Sequence, residues 1–308
     1  MRRFAPAISA LALCVALCAG CGGDSQASQP GGLAGRLPVV ATTTQLTDFV
    51  RAVGGDHVDV YGILKANVDA HDFEPSPGDI ARLAAAKVIV KNGVELEDWF
   101  DPTIKNAGAK ATIVEAATGV TLRHGEGEHA AEGDPHIWQD PRNAKVMVHN
   151  IALALAAADP DRRAVYEANE ASYAAELDRL DAEIAGQIGG LTNKKLVTNH
   201  NAFGYYIDRY GLDFVGAIIP SFDSQAELSV RDISQIVSLI KATGVKAVFS
   251  ESSLPPKTAE AIGRDAGVAV VAGEDALYGD SLGPAGSDGD TYLKMLRHNT
   301  RVIVENLG

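Results

Sequence analysis

Between residues 159 and 190 the chain reads DPDRRAVYEANEASYAAELDRLDAEIAGQIGG, which sets Tyr166, Tyr173, Leu177, Leu180, Ile184 and Ile188 at steps of seven, four, three, four and four. Those steps keep all six side chains on one face of a helix with ~3.6 residues per turn. Asp159 and Pro160 suit a helix start, and Gly189 and Gly190 suit a stop. A helix of ~28 residues is ~40 Å long at ~1.5 Å per residue. Any fold for this chain must accommodate that rod, and it is long enough to run along two lobes as a brace.

The sequence on either side of the rod has one repeated character. Before it, the β-branched runs LPVVATTT, HVDVYGI, KVIVKNG and ATIVEA alternate with helical patterns such as DIARLAAA and the stretch from Asn143 to Ala158. After it, KKLVTNH, DFVGAI, VKAVFSE and VAVVAG alternate with helical patterns over 202–210, 230–243, 257–266 and 290–307. Short strands alternating with helices predict parallel sheets, so the expected class is α/β with two similar parallel-sheet lobes joined by one long helix. The expected divisions are a leader over 1–20, a tether over 21–36, an N-terminal lobe over 37–158, the helix over 159–190 and a C-terminal lobe over 191–308. A length of 308 residues is ample for two cores.

The N-terminus MRRFAPAISALALCVALCAGCGG carries two arginines, an apolar run from Phe4 to Leu17, and small residues before Cys21. The run is shorter than the ~20 residues needed to span a bilayer, so it reads as a secretory signal. Its end resembles a bacterial lipobox, with Cys18 where a Leu is usual. That resemblance implies acylation of Cys21, a membrane anchor, and an exported protein facing a periplasm or the cell exterior. GGDSQASQPGGLAGR then reads as a flexible tether. All three cysteines, Cys14, Cys18 and Cys21, lie in this segment, so the mature chain has no pair for a disulfide and any metal site must use His, Asp or Glu. Cleavage before Cys21 removes Arg2 and Arg3 and takes the net charge from −13 to −15. With no basic stretch in that acidic field, nucleic acid is not expected as a partner. The acidity would attract cations and equally serves solubility.

Three of the eight histidines occupy unusual settings: His71 in NVDAHDFEPSPGDI, His136 in EGDPHIWQDP and His200 in VTNHNAFGYY. Each follows a predicted strand or loop and precedes a Pro turn or a helix. Ligands of parallel α/β sheets bind outside the carboxyl ends of the strands, so three histidines delivered there could hold a metal. Taken singly, each is more readily a hydrogen-bonded structural histidine than a ligand, and periodicity does not show that the three meet.

These segments resemble the zinc- and manganese-binding solute-binding proteins of bacterial ABC transporters, the ZnuA/TroA-type cluster A-I family. The resemblance runs through VVATTTQLTDFVRAVGGDHVDVYGIL, HDFEPSPGDI, DPHIWQDP, the long helix, HNAFGYYIDRYGL, VFSES and LYGDSLG. It implies that His71, His136 and His200 are three metal ligands and Asp280 the fourth, two from each lobe, with delivery to a permease. Three imidazoles and one carboxylate suit Zn²⁺ in a closed tetrahedral shell, which serves carriage and not catalysis. Manganese-binding members commonly have Glu where this chain has His200; Mn²⁺ prefers the harder oxygen, so His200 favours zinc.

Glu251, Asp140 and Asp72 are the carboxylates expected to accept the second ring N–H of a ligand histidine, Glu251 foremost because it follows the VFS strand. HGEGEHAAEGDPH resembles a short form of the His-rich loop of zinc-binding relatives. With His124 and His129 it could capture metal or receive it from a zinc metallochaperone, or be no more than a solvated acidic loop, and no regular structure is expected there. The protein is expected to act as a monomer. Some relatives are described as adhesins, on which no feature of this chain reports.

Two enzyme readings compete. Gly279 to Gly283 spell GxSxG, the serine-hydrolase elbow, but no strand runs directly into the turn and Pro284, Gly286 and Gly289 follow it. A metallohydrolase could also use three histidines and a carboxylate; HExxH is absent, and the test is an open coordination position with turnover.

Overall fold

The computed structural model describes residues 35–125 and 131–308. The leader, Cys21 and His129 lie outside the described residues. Four strands, β1 (Leu37–Ala41), β2 (Val58–Gly62), β3 (Val88–Lys91) and β4 (Thr112–Glu115), form a wholly parallel sheet in the order β2-β1-β3-β4. Helices α1 (Thr44–Gly54), α2 (Pro77–Ala85) and α3 (Phe100–Ala107) make its crossovers, and α4 (Pro141–Ala158) follows the sheet. The second half repeats the plan. Strands β5 (Lys195–His200), β6 (Asp213–Ile219), β7 (Ala247–Phe249) and β8 (Ala269–Val271) are parallel in the order β6-β5-β7-β8, with α6 (Gly204–Tyr210), α7 (Val230–Thr243) and α8 (Lys257–Ala266) between them and α9 (Tyr292–Leu307) last. Two similar parallel-sheet lobes are therefore observed, as the alternation of strand and helix patterns implies.

Parallel sheets are covered on both faces, and the strand residues show how. Val39 and Ala41 of β1 enter a large core, whereas Val40 between them enters a smaller one with Ile63, Leu83, Ile89 and Phe100. Leu196 and Phe249 of the second sheet likewise join the large core, while Val197 and Val248 face an outer one with Ile218, Ile236, Ile240 and Ile262. The period of two along each strand sorts adjacent apolar residues to opposite faces.

The large core runs continuously from one lobe into the other because helices are shared between them. Helix α5 (Arg163–Gly189) buries Tyr166, Leu177, Leu180, Ile184 and Ile188 and half-buries Tyr173. It packs on α1 and α4 from the first lobe and on α9 at the end of the chain. Its start differs from the expected one: Asp159 and Pro160 do not open it but lead a separate 3-10 turn, Pro160–Arg162, in which Asp159 accepts from Arg162 (2.7 Å) and Tyr166 (3.0 Å). Among the described residues, no helix is long and apolar enough to cross a membrane.

In both sheets the strand order reverses direction at the first strand, between β1 and β3 and between β5 and β7. The crevice outside the carboxyl ends at such a switch point is where open α/β sheets bind ligands. Here the two crevices face each other.

Candidate metal centre

Each candidate ligand stands on a short segment fixed by polar contacts. His200 is the last residue of β5, paired with Ile219 of β6. His136 precedes the 3-10 turn Ile137–Gln139 and the Pro141 start of α4, and the carbonyl of Pro135 before it accepts from the Asn92 side chain (2.9 Å). His71 lies in the loop after β2, where Asp69 Oδ1 accepts its backbone N–H (3.0 Å) and the Trp99 indole donates to the Ala70 carbonyl (3.3 Å). Asp280 lies in the loop before α9. Asn299 of that helix grips the loop by accepting from the Tyr278 N–H and donating to the Tyr278 carbonyl, both at 2.9 Å, as a neighbouring strand would.

These segments bring His71, His136, His200 and Asp280 together, one ligand-competent atom of each lying within 4.8 Å of all the others. His136 Nε2 stands 3.4 Å from His71 Nε2, 3.3 Å from His200 Nε2 and 3.3 Å from Asp280 Oδ1. Asp280 Oδ2 is 3.4 Å from His200 Nε2 and 3.8 Å from His71 Nε2. Four ligands ~2.0–2.1 Å from a zinc ion at tetrahedral angles stand ~3.3–3.4 Å from one another; the His136 contacts and the His200–Asp280 contact have that spacing, with both Asp280 oxygens engaged, while Asp280 stands wider from His71. Both Asp280 carboxylate oxygens are buried without a hydrogen-bond donor. A buried carboxylate is costly unless a cation or donors compensate it, and a metal ion among the four groups would do so.

A second layer orients the rings. Glu251 Oε1 accepts from His200 Nδ1 (2.9 Å) and from its backbone N–H (3.0 Å). Asp134 Oδ1 does the same for His136, at 2.8 Å to Nδ1 and 3.0 Å to the backbone. With Nδ1 donating, each ring turns an Nε2 lone pair toward the cluster. Asp134 was not anticipated from the sequence. Its signal is the spacing Asp-x-His, in which a carboxylate accepts the N–H two residues on; Asp69 and His71 repeat it. Asp280 and Glu251 together bring two negative charges, while the charge of Asp134 is balanced by Arg123 (2.7 Å), so neutral imidazoles and one divalent cation leave the pocket electrically balanced.

The site's titration reflects this crowding. Burial works to lower the His136 pKa, but the Asp134 and Asp280 carboxylates outweigh it and raise it to about 10. Burial also opposes His200, whose pKa is nevertheless raised by Glu251 and Asp280. For His71 burial wins, helped by the two neighbouring imidazoles, and its pKa is lowered. Burial would raise Asp280, yet the three imidazoles hold it well below the usual carboxylate range.

Other expected residues fall elsewhere. Asp140 contacts no site histidine; it caps α4 by accepting the Arg142 N–H (2.8 Å) and pairs with the Arg142 guanidinium (2.5 Å). Asp72 is exposed, a surface carboxylate beside His71. His124 is exposed and forms an isolated antiparallel bridge with Gly133, outside any strand. In the GxSxG stretch, Ser281 Oγ accepts from the Asn67 backbone N–H (2.8 Å), and His298 Nε2 donates to the Ala276 carbonyl (3.0 Å), far from a hydrolase arrangement. The glycines have packing reasons: a Cβ at Gly279 would collide with Glu251 Oε2, and one at Gly283 with Ser287 and the Tyr278 ring.

The model of the family described as zinc-uptake complex component A, periplasmic, matches residues 39–306. The chain belongs to this ZnuA family. The iron ABC transporter substrate-binding lipoprotein MtsA of Streptococcus pyogenes serotype M1 is 32% identical over 282 residues, which cover 88% of this chain and 89% of that protein. The manganese ABC transporter substrate-binding lipoprotein PsaA of Streptococcus pneumoniae is 30% identical over 308 residues, 97% of this chain and 98% of that one. Among solved structures, the periplasmic zinc binding protein TroA of Treponema pallidum superposes with a TM-score of 0.81 at 27% identity, covering 89% of this chain and all of that one. This ZnuA-family chain is accordingly the extracytoplasmic substrate-binding component of a metal ABC transporter, works with membrane permease components, and is not an enzyme. A divalent metal is its cargo. The relatives are named for iron, manganese and zinc, so the choice among metals rests on the ligands.

Proposed function

We propose that this protein binds one Zn²⁺ between its lobes through His71, His136, His200 and Asp280 and delivers it to an ABC permease for uptake. The observation that carries the reading is the set of three inward Nε2 atoms and one unpartnered carboxylate at the spacings of a tetrahedral zinc shell. Four protein ligands close that shell and leave no position for a reacting water. Glu251 and Asp134 fix the rings before metal arrives, which limits the ordering cost of binding. Manganese is the second reading, favoured by the similarity to PsaA; His200 argues against it, because Mn²⁺ suits oxygen better than imidazole. Acylation of Cys21 would tether the protein beside its permease, as the lipoprotein relatives suggest. The loop carrying His124 and His129 would collect metal or take it from a metallochaperone; deleting residues 125–132 should slow transfer, and an unchanged transfer rate would remove that role.

Divalent zinc outcompetes manganese at most N/O sites in the test tube, so in-vitro preference alone is a weak discriminator. The informative experiment is metal analysis of the protein recovered from cells grown with zinc, manganese and iron all available, beside His200→Glu. Zinc in the wild type and a manganese share that rises in the variant support the proposal; manganese or iron in the wild type contradicts it.

A further inference from the structure

Arg123 belongs to the first half of the chain, after β4, yet its partners lie in both lobes. Its Nη1 donates to Asp134 Oδ2 at 2.7 Å, on the same carboxylate whose other oxygen holds His136. Its Nε donates to Asp208 on α6 of the second lobe at 2.6 Å. Two further contacts lock the geometry. The Tyr205 hydroxyl of α6 accepts the Arg123 N–H (3.0 Å) and donates to the Asp134 carbonyl (2.9 Å). The guanidinium also lies against the bare backbone of Gly204, where a Cβ would collide with Nη1 and Cζ. Helix α6 thus clasps the segment bearing Asp134 at three places, and all three belong to the lobe that supplies His200 and Asp280.

We infer that Arg123 is a positioning residue for the metal, holding Asp134 on the His136 ring only while α6 of the opposite lobe is in place. The ends of this chain of contacts are unequal. Asp134 is fully buried, so a guanidinium bonded to it in low dielectric is hard to replace, whereas the Asp208 side chain is 62% exposed and its pairing is screened by solvent. The exposed end is the weak one. When the lobes part, Asp208 and Tyr205 withdraw, and Arg123, still paired with Asp134, is no longer held in place, so the carboxylate that aims His136 Nε2 is free to shift. Metal retention and lobe closure therefore share one side chain. This deepens the metal-site reading above and rests on it.

The test compares the purified full chain with Arg123→Gln, Asp208→Asn and Gly204→Ala, and with Arg142→Gln as a control, an arginine that pairs with Asp140. Zn²⁺ release into a chelator is timed, and the His136 Nδ1 proton is followed by NMR in ¹⁵N-histidine-labelled protein with and without metal. Substitutions that disturb the residues orienting a metal ligand typically cost ~10–100-fold, so Arg123→Gln and Gly204→Ala should release zinc at least ~10-fold faster, Asp208→Asn less, and Arg142→Gln at the wild-type rate. The Nδ1 resonance should move in the first two whether or not metal is bound. Gly204→Ala alters no charge and bears the test if Arg123→Gln fails to fold. Wild-type release rates together with an unmoved His136 resonance in Gly204→Ala and Asp208→Asn would overturn the inference. A wild type that holds no zinc would instead sink the zinc reading, and the metal-free NMR comparison would still decide the role of Arg123.

Discussion

His136 concentrates the chemistry of the site, because it touches two carboxylates and two imidazoles while fully buried. With its pKa raised to about 10, it carries a proton at neutral pH in the metal-free protein, and a metal ion must displace that proton. Zinc loading near pH 7.5 should therefore release at least about one proton per chain, measurable by calorimetry in two buffers of different ionisation enthalpy. The sign follows: affinity falls as pH falls, by ~tenfold per unit for each proton displaced, with His200, also raised, adding to the slope. Loading without proton release would contradict this arrangement. Asp134→Asn keeps the size but sets an amide against Arg123, and should weaken zinc binding by ~10–100-fold in a competitive titration. Much of this was legible at the level of residues. His71, His136, His200 and Asp280 could be selected through family resemblance, and Glu251 through its place after a strand. Asp134 has a local signal, the Asp-x-His spacing, but that spacing alone does not show that the carboxylate reaches the ring; Arg123 has none, because what makes it matter is its contact with α6, 82 to 85 residues away.

Elements matter here chiefly through their ends. The carboxyl ends of β5 and β7 deliver His200 and Glu251, and the loop before α9 delivers Asp280 past two glycines that exist for close approach. Gly279→Ala would drive a methyl group against Glu251 and turn it from the His200 ring. Zinc affinity should fall ~10-fold or more while the fold survives; unchanged affinity would show that Glu251 does not orient His200. Asp140 provides the contrast, since it caps α4 and does not touch the rings. Asp140→Ala should cost ~1 kcal/mol in unfolding free energy and leave zinc affinity at the wild-type value, which denaturant melts and titration would check together. The helices and strands themselves could be read from the sequence, since periods of two and 3.6 survive in LPVVA, KVIVK and the α5 stripe. The start of α5 could not, because Asp159 satisfies Arg162 and Tyr166 and so closes a separate turn.

At the scale of the whole molecule, two similar lobes share one core through α5 and its neighbours, and their ligands converge across the cleft. Metal bound from both sides should stabilise the protein as one unit. Free zinc at ~100 times its dissociation constant adds ~2.7 kcal/mol, which corresponds to a melting temperature higher by ~5–10 °C in a single transition. Because α5 packs on helices from both halves, metal removal should leave the solution scattering profile nearly unchanged, and a large expansion would contradict the brace. The central claim is that His71, His136, His200 and Asp280 together hold one zinc ion. Its most direct test is zinc stoichiometry and competitive affinity for the purified chain beside His200→Ala and Asp280→Ala. One tightly held zinc per chain, weakened by both substitutions, is the result expected; a metal-free protein, or affinities indifferent to both changes, would contradict it.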